Sequence, residues 1–86
     1  MAVKVLLPGL LANQAGGENT FDLEAPTVGA ALRALPISDL IFDEAGKLRG
    51  LVNVYVDRKD MRARDGLETP LAGDEEIRIV AAIAGG

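Results

Sequence analysis

Histidine, cysteine and tryptophan, which carry much of protein chemistry, are absent from this chain. Without histidine, no side chain titrates near neutral pH in its unperturbed state. Without cysteine there is no thiolate nucleophile, no disulfide and no ordinary zinc or iron–sulfur site. An enzyme would have to work with carboxylates, lysines and a single tyrosine, Tyr55. The composition therefore argues against catalysis, and we expect the chain to bind no metal or cofactor of its own.

Basic residues are also in deficit, with 9 lysines and arginines against 13 aspartates and glutamates and a net charge of −4. Nucleic acids and anionic membranes are bound by clustered basic side chains, so neither partner is expected. The opening apolar run, Val3 to Leu7, is too short for a signal-peptide core and is interrupted by Lys4. We therefore expect a cytoplasmic protein that binds other proteins.

The chain has 86 residues, of which 49% are hydrophobic. That is enough for one domain with a single modest core. We expect the domain to span residues 1–82 and a flexible tail to span residues 83–86.

The first half predicts a β-hairpin followed by a helix. The first predicted strand has apolar residues at every second position, Val3, Val5 and Leu7, as in a strand that is buried on one face. The second predicted strand has Phe21 and Leu23 on one face. A turn-forming stretch at residues 13–19 joins the two strands. Thr27 is a suitable N-cap for a helix whose apolar stripe is spaced at i, i+3, i+4 and i+7. The stripe consists of Val28, Ala31, Leu32 and Leu35, and Pro36 ends the helix.

Gly29 weakens the prediction of that helix by about 1 kcal/mol relative to alanine. A glycine at this position would also let the helix lie close against a sheet.

The second half predicts a short helical turn around residues 37–41, a solvated turn at residues 43–47 and then strands. Val52, Val54 and Val56 share one face of the clearest strand, with Asn53 and Tyr55 on the other. A tight turn at residues 57–60 leads into a short edge strand around Met61 and Arg62, followed by a loop over residues 64–70. The last strand runs from about Glu76 to Ala82.

This order of elements fits an α+β domain in which one main helix packs across a mixed sheet, as in the β-grasp fold. In that topology the first and last strands lie side by side and parallel at the centre, joined by a right-handed crossover. A different α+β arrangement of helix and hairpins is the structural alternative.

Gly85 and Gly86 follow directly after the apolar run at residues 77–84. A glycine pair has no side chains to block a narrow channel, so its carboxylate could be threaded into the active site of another protein. Residues 83–86 would reach roughly 13 Å when extended. The competing interpretation is an ordinary frayed end.

The last strand is expected to present apolar side chains outside the core as well as inside it, and exposed apolar patches often mark binding sites. We therefore predict partner docking at Val80, Ala82 and Ile83. A basic cluster follows the central turn, and we interpret it as a solvated edge that discourages strand addition. Its members are Arg58, Lys59, Arg62 and Arg64.

Several local motifs carry a resemblance that covers the whole chain. They are the opening Val-Lys-Val-Leu-Leu-Pro, the Pro-Thr-Val-Gly at residues 26–29, the strand at residues 52–57, the Gly-Asp-Glu at residues 73–75 and the ending Ile-Ala-Gly-Gly. On these motifs the chain resembles the ubiquitin-like sulfur carriers of the ThiS/MoaD family. Residues 51–86 most resemble the carriers of cysteine biosynthesis, the CysO-like group, in the Asn-x-Tyr-Val strand, Arg62 and the Gly-Leu-x-Thr-Pro-Leu stretch. The chain departs from that group at Ala81-Ala82, near which such carriers often have a proline.

The resemblance implies that an activating enzyme joins the Gly86 carboxylate to AMP, and that sulfur then displaces AMP to leave a thiocarboxylate. Gly85 and Ala84 would thread the tail into the partner. ATP and Mg²⁺ would belong to the activating enzyme, and pyridoxal phosphate to a sulfur-accepting synthase. For the cysteine branch, the resemblance also implies a metalloprotease that releases the product.

Other functions remain open on the sequence. The same tail would serve the small subunit of molybdopterin synthase, or a covalent modifier whose Gly86 is passed to a lysine. An inert β-grasp interaction module is the simplest alternative. A small acid/base enzyme using Asp74, Glu75 and Glu76 is a fourth, although we interpret those acids as a turn and a solvated strand start.

Overall fold

The computed structural model describes residues 2–50 and 52–81. Within this part of the chain, five strands and three α-helices make up the regular structure, with two 3₁₀ turns between the fourth and fifth strands. The strands are β1 (Val3–Leu6), β2 (Thr20–Leu23), β3 (Val52–Val56), β4 (Lys59–Asp60) and β5 (Glu76–Ala81). The helices are α1 (Gly9–Gln14), α2 (Val28–Arg33) and α3 (Ser38–Ile41).

All five strands belong to one mixed sheet in the order β2-β1-β5-β3-β4. β1 and β5 are parallel and lie next to each other, with Val5 opposite Ile77, whereas the other neighbouring pairs are antiparallel. This arrangement confirms the predicted α+β, β-grasp architecture. The last strand lies in the middle of the sheet, between the first strand and β3.

The core forms because alternate residues of each strand point to the same face of the sheet. Val5, Val56 and Ile77 are fully buried on that face, and Val54 and Ile79 are nearly so. The helices cover them with the buried residues of α2, Ile41 of α3 and Leu11 of α1. Alternation on β3 is as predicted, with the three valines buried and the residues between them half-buried.

Helix α2 begins as the sequence predicts. The Thr27 hydroxyl accepts a hydrogen bond from the Ala30 amide at 3.2 Å, which satisfies one of the free amides of the first turn. The predicted apolar stripe is buried along its whole length. α2 ends at Arg33, and Ala34 and Leu35 form a closing turn before Pro36.

Gly29 does permit a close approach, but not to the sheet. A Cβ at this position would lie 3.1 Å from the Leu67 carbonyl oxygen and 3.2 Å from the Leu67 Cβ. The segment that carries Leu67 is anchored by Thr69, which is fully buried and donates its hydroxyl proton to the Gly66 carbonyl at 2.7 Å. The Thr69 carbonyl in turn accepts from the Val28 amide at the start of α2. The predicted loop at residues 64–70 is thus a structured brace for the helix.

Helix α1 was not predicted. The sequence predicts only a turn-forming stretch at residues 13–19 between the first two strands, yet residues 9–14 form a helix with Leu11 and Ala12 buried. α1 lacks the two features that identified α2: no side chain caps its start at Pro8, and the polar residues Asn13 and Gln14 take the i+3 and i+4 positions after Leu10, so no apolar stripe is visible.

The edge strand lies two residues earlier than predicted. β4 is Lys59–Asp60, and Met61 and Arg62 belong to a 3₁₀ turn. The shift arises because the hairpin turn has only two residues, Asp57 and Arg58, both with positive φ, as in a type I′ turn. The Asp60 carboxylate then accepts the Arg62 amide at 2.8 Å and caps the 3₁₀ turn.

Among the described residues, no helix has the length and apolar character needed to cross a bilayer.

The hairpin turn yields a stability prediction, because Arg58 has φ of 72°, where a side chain is unfavourable. Arg58→Gly removes that penalty, and we expect the free energy of unfolding to rise by about 0.5 kcal/mol after the added entropy of the unfolded glycine is subtracted. Arg58→Ala is the matched control, since it removes the same charge and keeps a Cβ. Urea denaturation of both variants measures the effect. Equal stabilities of the glycine and alanine variants would contradict it.

Candidate functional site

The candidate site is the end of the sheet at which β5 finishes. Ala81, its last residue, pairs with Val52 at the start of β3, and β1 lies on the other side of β5. β1 pairs with β5 from Glu76 to Arg78 and β3 pairs with it from Ile77 to Ala81, so the Val52–Ala81 pair holds the end of β5 and sets the point at which the chain leaves the sheet. Residues 82–86 must start from this central point.

Val80 is the sequence-predicted docking residue that the structure describes. Its side chain points to the face of the sheet opposite the core, is 40% exposed and lies across from Asn53. Next to it is a shallow groove of about 180 Å³ between the ends of β1 and β5. The groove is lined by Leu6, Leu7, Pro8, Arg78, Val80 and Ala81.

The other predicted site residues, Ala82, Ile83, Ala84, Gly85 and Gly86, lie outside the described residues. Their assignments, and the domain boundary at residue 82, therefore stay predictions.

The expectation that both faces of the last strand are apolar is wrong for the described part of β5. Ile77 and Ile79 face the core, but Glu76 and Arg78 alternate with them on the outer face, where they form a 3.6 Å ion pair. Both side chains are well exposed, so the pair contributes little to stability. The apolar part of the outer face is confined to the end of the strand, at Val80 and its groove.

The predicted basic cluster is divided by the structure. Arg62 is held on the outer face by a bidentate contact to the Asp60 carboxylate and by a 2.8 Å hydrogen bond to the Asn53 side-chain oxygen. The hydrogen bond from Arg62 lowers the pKa of Asp60 and is the main reason that the pKa of Arg62 is raised. Arg58, Lys59 and Arg64 lie at or beyond the hairpin turn, at the end of the sheet away from Ala81.

Tyr55 is half-buried on the outer face, opposite Arg78 on β5 and Asp60 on β4. Its place on the outer face is as expected from the alternation of β3. It is separated along the strands from the end at which β5 finishes.

The acidic residues before β5 form a turn, as predicted, and Glu75 holds it together. Its carboxylate accepts the backbone amides of Ala72 at 2.7 Å, Gly73 at 2.9 Å and Asp74 at 3.2 Å. The hydrogen bond from Ala72 is the main cause that lowers the pKa of Glu75, against a smaller opposing effect of burial. These hydrogen bonds give Glu75 a structural role at the start of β5. Among the described residues, no cluster of acidic side chains is arranged to hold a metal ion.

Sequence reasoning missed a second apolar groove, of about 450 Å³, between α1 and α3. Leu10 and Leu40 line it and are 51% and 41% exposed. Leu11, Gln14 and Arg49 complete its wall. The sequence signal was that Leu10 and Leu40 are large apolar residues for which the predicted strands and turns provide no packing neighbour.

The fold and this tail-bearing end define a class of small β-grasp proteins, and comparison with known proteins identifies the family. The ThiS family model matches residues 5–86. The sulfur carrier protein CysO of Mycobacterium tuberculosis is 34% identical over a 93-residue alignment that covers all of both chains.

Solved structures agree with the sequence comparison. The crystal structure of M. tuberculosis CysO matches with a TM-score of 0.83 at 32% identity, over 94% of this chain and 99% of that one. Small archaeal modifier protein 1 from Methanosarcina acetivorans matches with a TM-score of 0.85 at 28% identity, over 99% and 96%. The Amycolatopsis orientalis BexX/CysO complex contains a chain that matches with a TM-score of 0.81 at 29% identity, over 99% and 100%.

This chain belongs to the ThiS family of ubiquitin-like sulfur carriers. The resemblance identified from the sequence is confirmed.

Glu75 yields a prediction for pH dependence. A carboxyl whose pKa is lowered by folding stabilises the protein above its unfolded pKa, and this stabilisation is lost as the pH falls through the folded pKa. Glu75→Gln should therefore cost about 1 kcal/mol at pH 7, allowing for partial solvent exposure, and lose less stability on acidification than the wild type. Denaturation between pH 7 and pH 3 measures this, with the exposed Glu44→Gln as control. If the free energy of unfolding fell equally with pH for Glu75→Gln and wild type, the stabilising role of the Glu75 carboxylate would be contradicted.

Proposed function

We propose that this protein is a sulfur carrier that acts as a co-substrate of partner enzymes, with the Gly86 carboxylate as the group that carries sulfur. The observation that supports this most directly is the ThiS family match, which continues to Gly86. The segment that ends in Gly86 follows β5, a strand in the middle of the sheet. Five residues follow Ala81. When extended they span roughly 17 Å, enough to enter the active site of a docked enzyme.

The proposed chemistry begins with activation. An oxygen of the Gly86 carboxylate attacks the α-phosphorus of ATP in an adenylating enzyme, which forms a carboxyl–AMP anhydride and releases pyrophosphate. Sulfide (HS⁻) then attacks the carbonyl carbon, the C–O bond to AMP breaks and AMP leaves. Loss of the proton from sulfur makes the terminus a thiocarboxylate. Activation is needed because a carboxylate is a poor electrophile, whereas AMP is a good leaving group.

The protein contributes a site and a docking surface to this reaction. With no cysteine in the chain, sulfur cannot be held as a persulfide, so the terminus is the remaining carrier group. Val80 and the groove beside it adjoin the point where the tail begins, and we propose that the activating enzyme binds there, together with Ala82 and Ile83. ATP, Mg²⁺ and any pyridoxal phosphate belong to the partners.

Cysteine biosynthesis is the pathway that we propose as the receiver of the sulfur, on the basis of the full-length similarity to CysO. The thiocarboxylate would attack an aminoacrylate bound in a synthase, and a metalloprotease would release cysteine from Gly86. A chain in the BexX/CysO complex is also similar, so a protein like BexX belongs among the candidate partners in the same test. Incubating thiocarboxylated protein with each candidate synthase and weighing the carrier distinguishes them. A cysteinyl adduct on Gly86 supports the cysteine branch, and sulfur loss only with a pterin precursor and a large synthase subunit overturns it.

Covalent protein modification is the second candidate, favoured by the similarity to small archaeal modifier protein 1. It uses the same activated Gly86 but passes the acyl group to a lysine. A ladder of conjugates that depends on Gly86 would support it, and its absence alongside thiocarboxylate formation would support the carrier.

Truncation tests the site. Deleting Gly86, or Gly85 and Gly86 together, should abolish adenylation and sulfur loading and leave the thermal midpoint within about 1 °C, because neither residue belongs to the described core. Mass spectrometry after incubation with the activating enzyme, ATP and sulfide measures loading, and it also verifies that the native protein ends at Gly86. Sulfur transfer by the truncated protein would exclude Gly86 as the carrier group.

Gly85 tests whether the tail must be narrow. Gly85→Val should lower the rate of adenylation at least tenfold, since a β-branched side chain restricts φ and widens the tail next to an intact carboxylate. Gly85→Ala is the matched control and should be affected less. Pyrophosphate exchange catalysed by the activating enzyme gives both rates, and equal rates for valine and glycine would show that channel width is not limiting.

A further inference from the structure

Three large apolar side chains are exposed in the described part of the chain: Leu10, Leu40 and Val80. Val80 belongs to the docking surface already proposed. Leu10 and Leu40 come from different helices and line one groove, so their exposure is a shared feature of the surface. Grouped exposed apolar residues are unusual on a small monomer and often mark a binding site.

The topology brings Leu10 to the end of the sheet at which β5 finishes. β1 and β5 are parallel and adjacent, so the residues that follow β1 leave the sheet at the end where β5 finishes. These residues are Leu7, Pro8 and helix α1. Leu7 and Pro8 line the groove beside Val80, and Leu10 and Leu11 line the second groove. The two grooves are therefore connected by one short stretch of chain, residues 7–11.

The segment after α3 brings the other wall of the groove to this end. The Arg49 amide donates to the Ile41 carbonyl at 2.8 Å, and the Val52 amide donates to the Arg49 carbonyl at 3.0 Å. Val52 is the residue that pairs with Ala81. Arg49 is thus a few residues from the point at which β5 ends.

The lining of the second groove specifies what it can accept. Leu10, Leu11 and Leu40 provide an apolar wall, and Arg49 is the charged residue that lines it. The Arg49 guanidinium donates to the Asp39 carbonyl at 3.2 Å, and within residues 2–50 and 52–81 it has no carboxylate partner. A complementary surface would insert an apolar side chain and place a carboxylate opposite Arg49.

We propose that the activating enzyme binds the Leu10–Leu40 groove as well as the groove at Val80, so that it contacts the carrier at two neighbouring grooves close to the end of β5. This inference rests on the proposed function. The activating enzyme is the expected occupant because the second groove is connected to the Val80 groove through residues 7–11. An enzyme that receives Gly86 must also approach within roughly 17 Å of Ala81. The chemistry of the enzyme's contact is an apolar side chain accompanied by an acidic one.

The test compares variants of the Leu10–Leu40 groove with a control variant at the opposite end of the sheet. Leu10→Ser and Leu40→Ser should each raise the KM for the carrier in ATP–pyrophosphate exchange about tenfold, as expected for an anchoring apolar contact, with kcat little changed. Arg49→Gln should raise KM less and reduce its dependence on salt. Arg64→Gln is the matched control, because it removes a cation from the opposite end of the sheet, and its KM should stay at the wild-type value. The probe is the adenylating enzyme from the same organism, and thermal midpoints verify that each variant is folded.

The outcomes separate this inference from the proposed function. Normal adenylation with an unchanged KM for folded Leu10→Ser and Leu40→Ser would overturn the second contact and leave Gly86 as the carrier group. No adenylation of the wild type would contradict the proposed function itself. A wild-type dimer that Leu40→Ser dissociates would assign the groove to a second copy. Leucine methyl signals that shift when residues 82–86 are deleted would assign it to the chain's own tail. Either of these last two results overturns the proposal.

Discussion

The parallel pairing of β1 with β5 is the constraint on which the rest of the structure depends. It places Val5 beside Ile77 in the fully buried centre of the sheet and joins residues that are more than seventy positions apart. Such a long-range contact closes most of the chain into one loop, so its entropic cost must be offset by burial of apolar surface on the strands and helices. The same pairing sends the chain out of β1 at the end of the sheet where β5 finishes, which is why Leu7 and Pro8, just before helix α1, line a groove with Val80 and Ala81.

The segments between the strands support this centre in specific ways. Glu75 accepts hydrogen bonds from three backbone amides in the turn before β5. The Thr69 carbonyl accepts a hydrogen bond from the first residue of α2, which connects residues 66–69 to that helix. The family signature at residues 66–71 acquires a physical meaning here, because Gly66 takes a positive φ of 59° and Thr69 is buried. Neither group lies near Ala81, so both serve the fold, and the end that carries the tail is left for partners.

Much of the architecture could be predicted because it depends on local patterns. Alternation identified β1 and β3, the Thr27 cap and its apolar stripe identified α2, and the order of elements indicated the β-grasp fold. Two of the failures also have local causes. Helix α1 has neither a capping side chain nor an apolar stripe, and the two-residue turn at Asp57 and Arg58 uses positive φ without glycine, which moved β4 by two positions. The second groove was missed because Leu10 and Leu40 are thirty residues apart in the chain.

By itself, the sequence determined the chemistry that is possible: the absence of cysteine and histidine, and the glycine pair at the end of an apolar run, are properties of composition and order and need no coordinates. It also determined the family, through motifs spread over the whole chain. Only the tertiary structure decided which apolar residues remain exposed and that they gather at one end of the sheet. The physical reason is that exposure depends on what packs against a side chain, and these neighbours come from strands and helices far apart in the sequence.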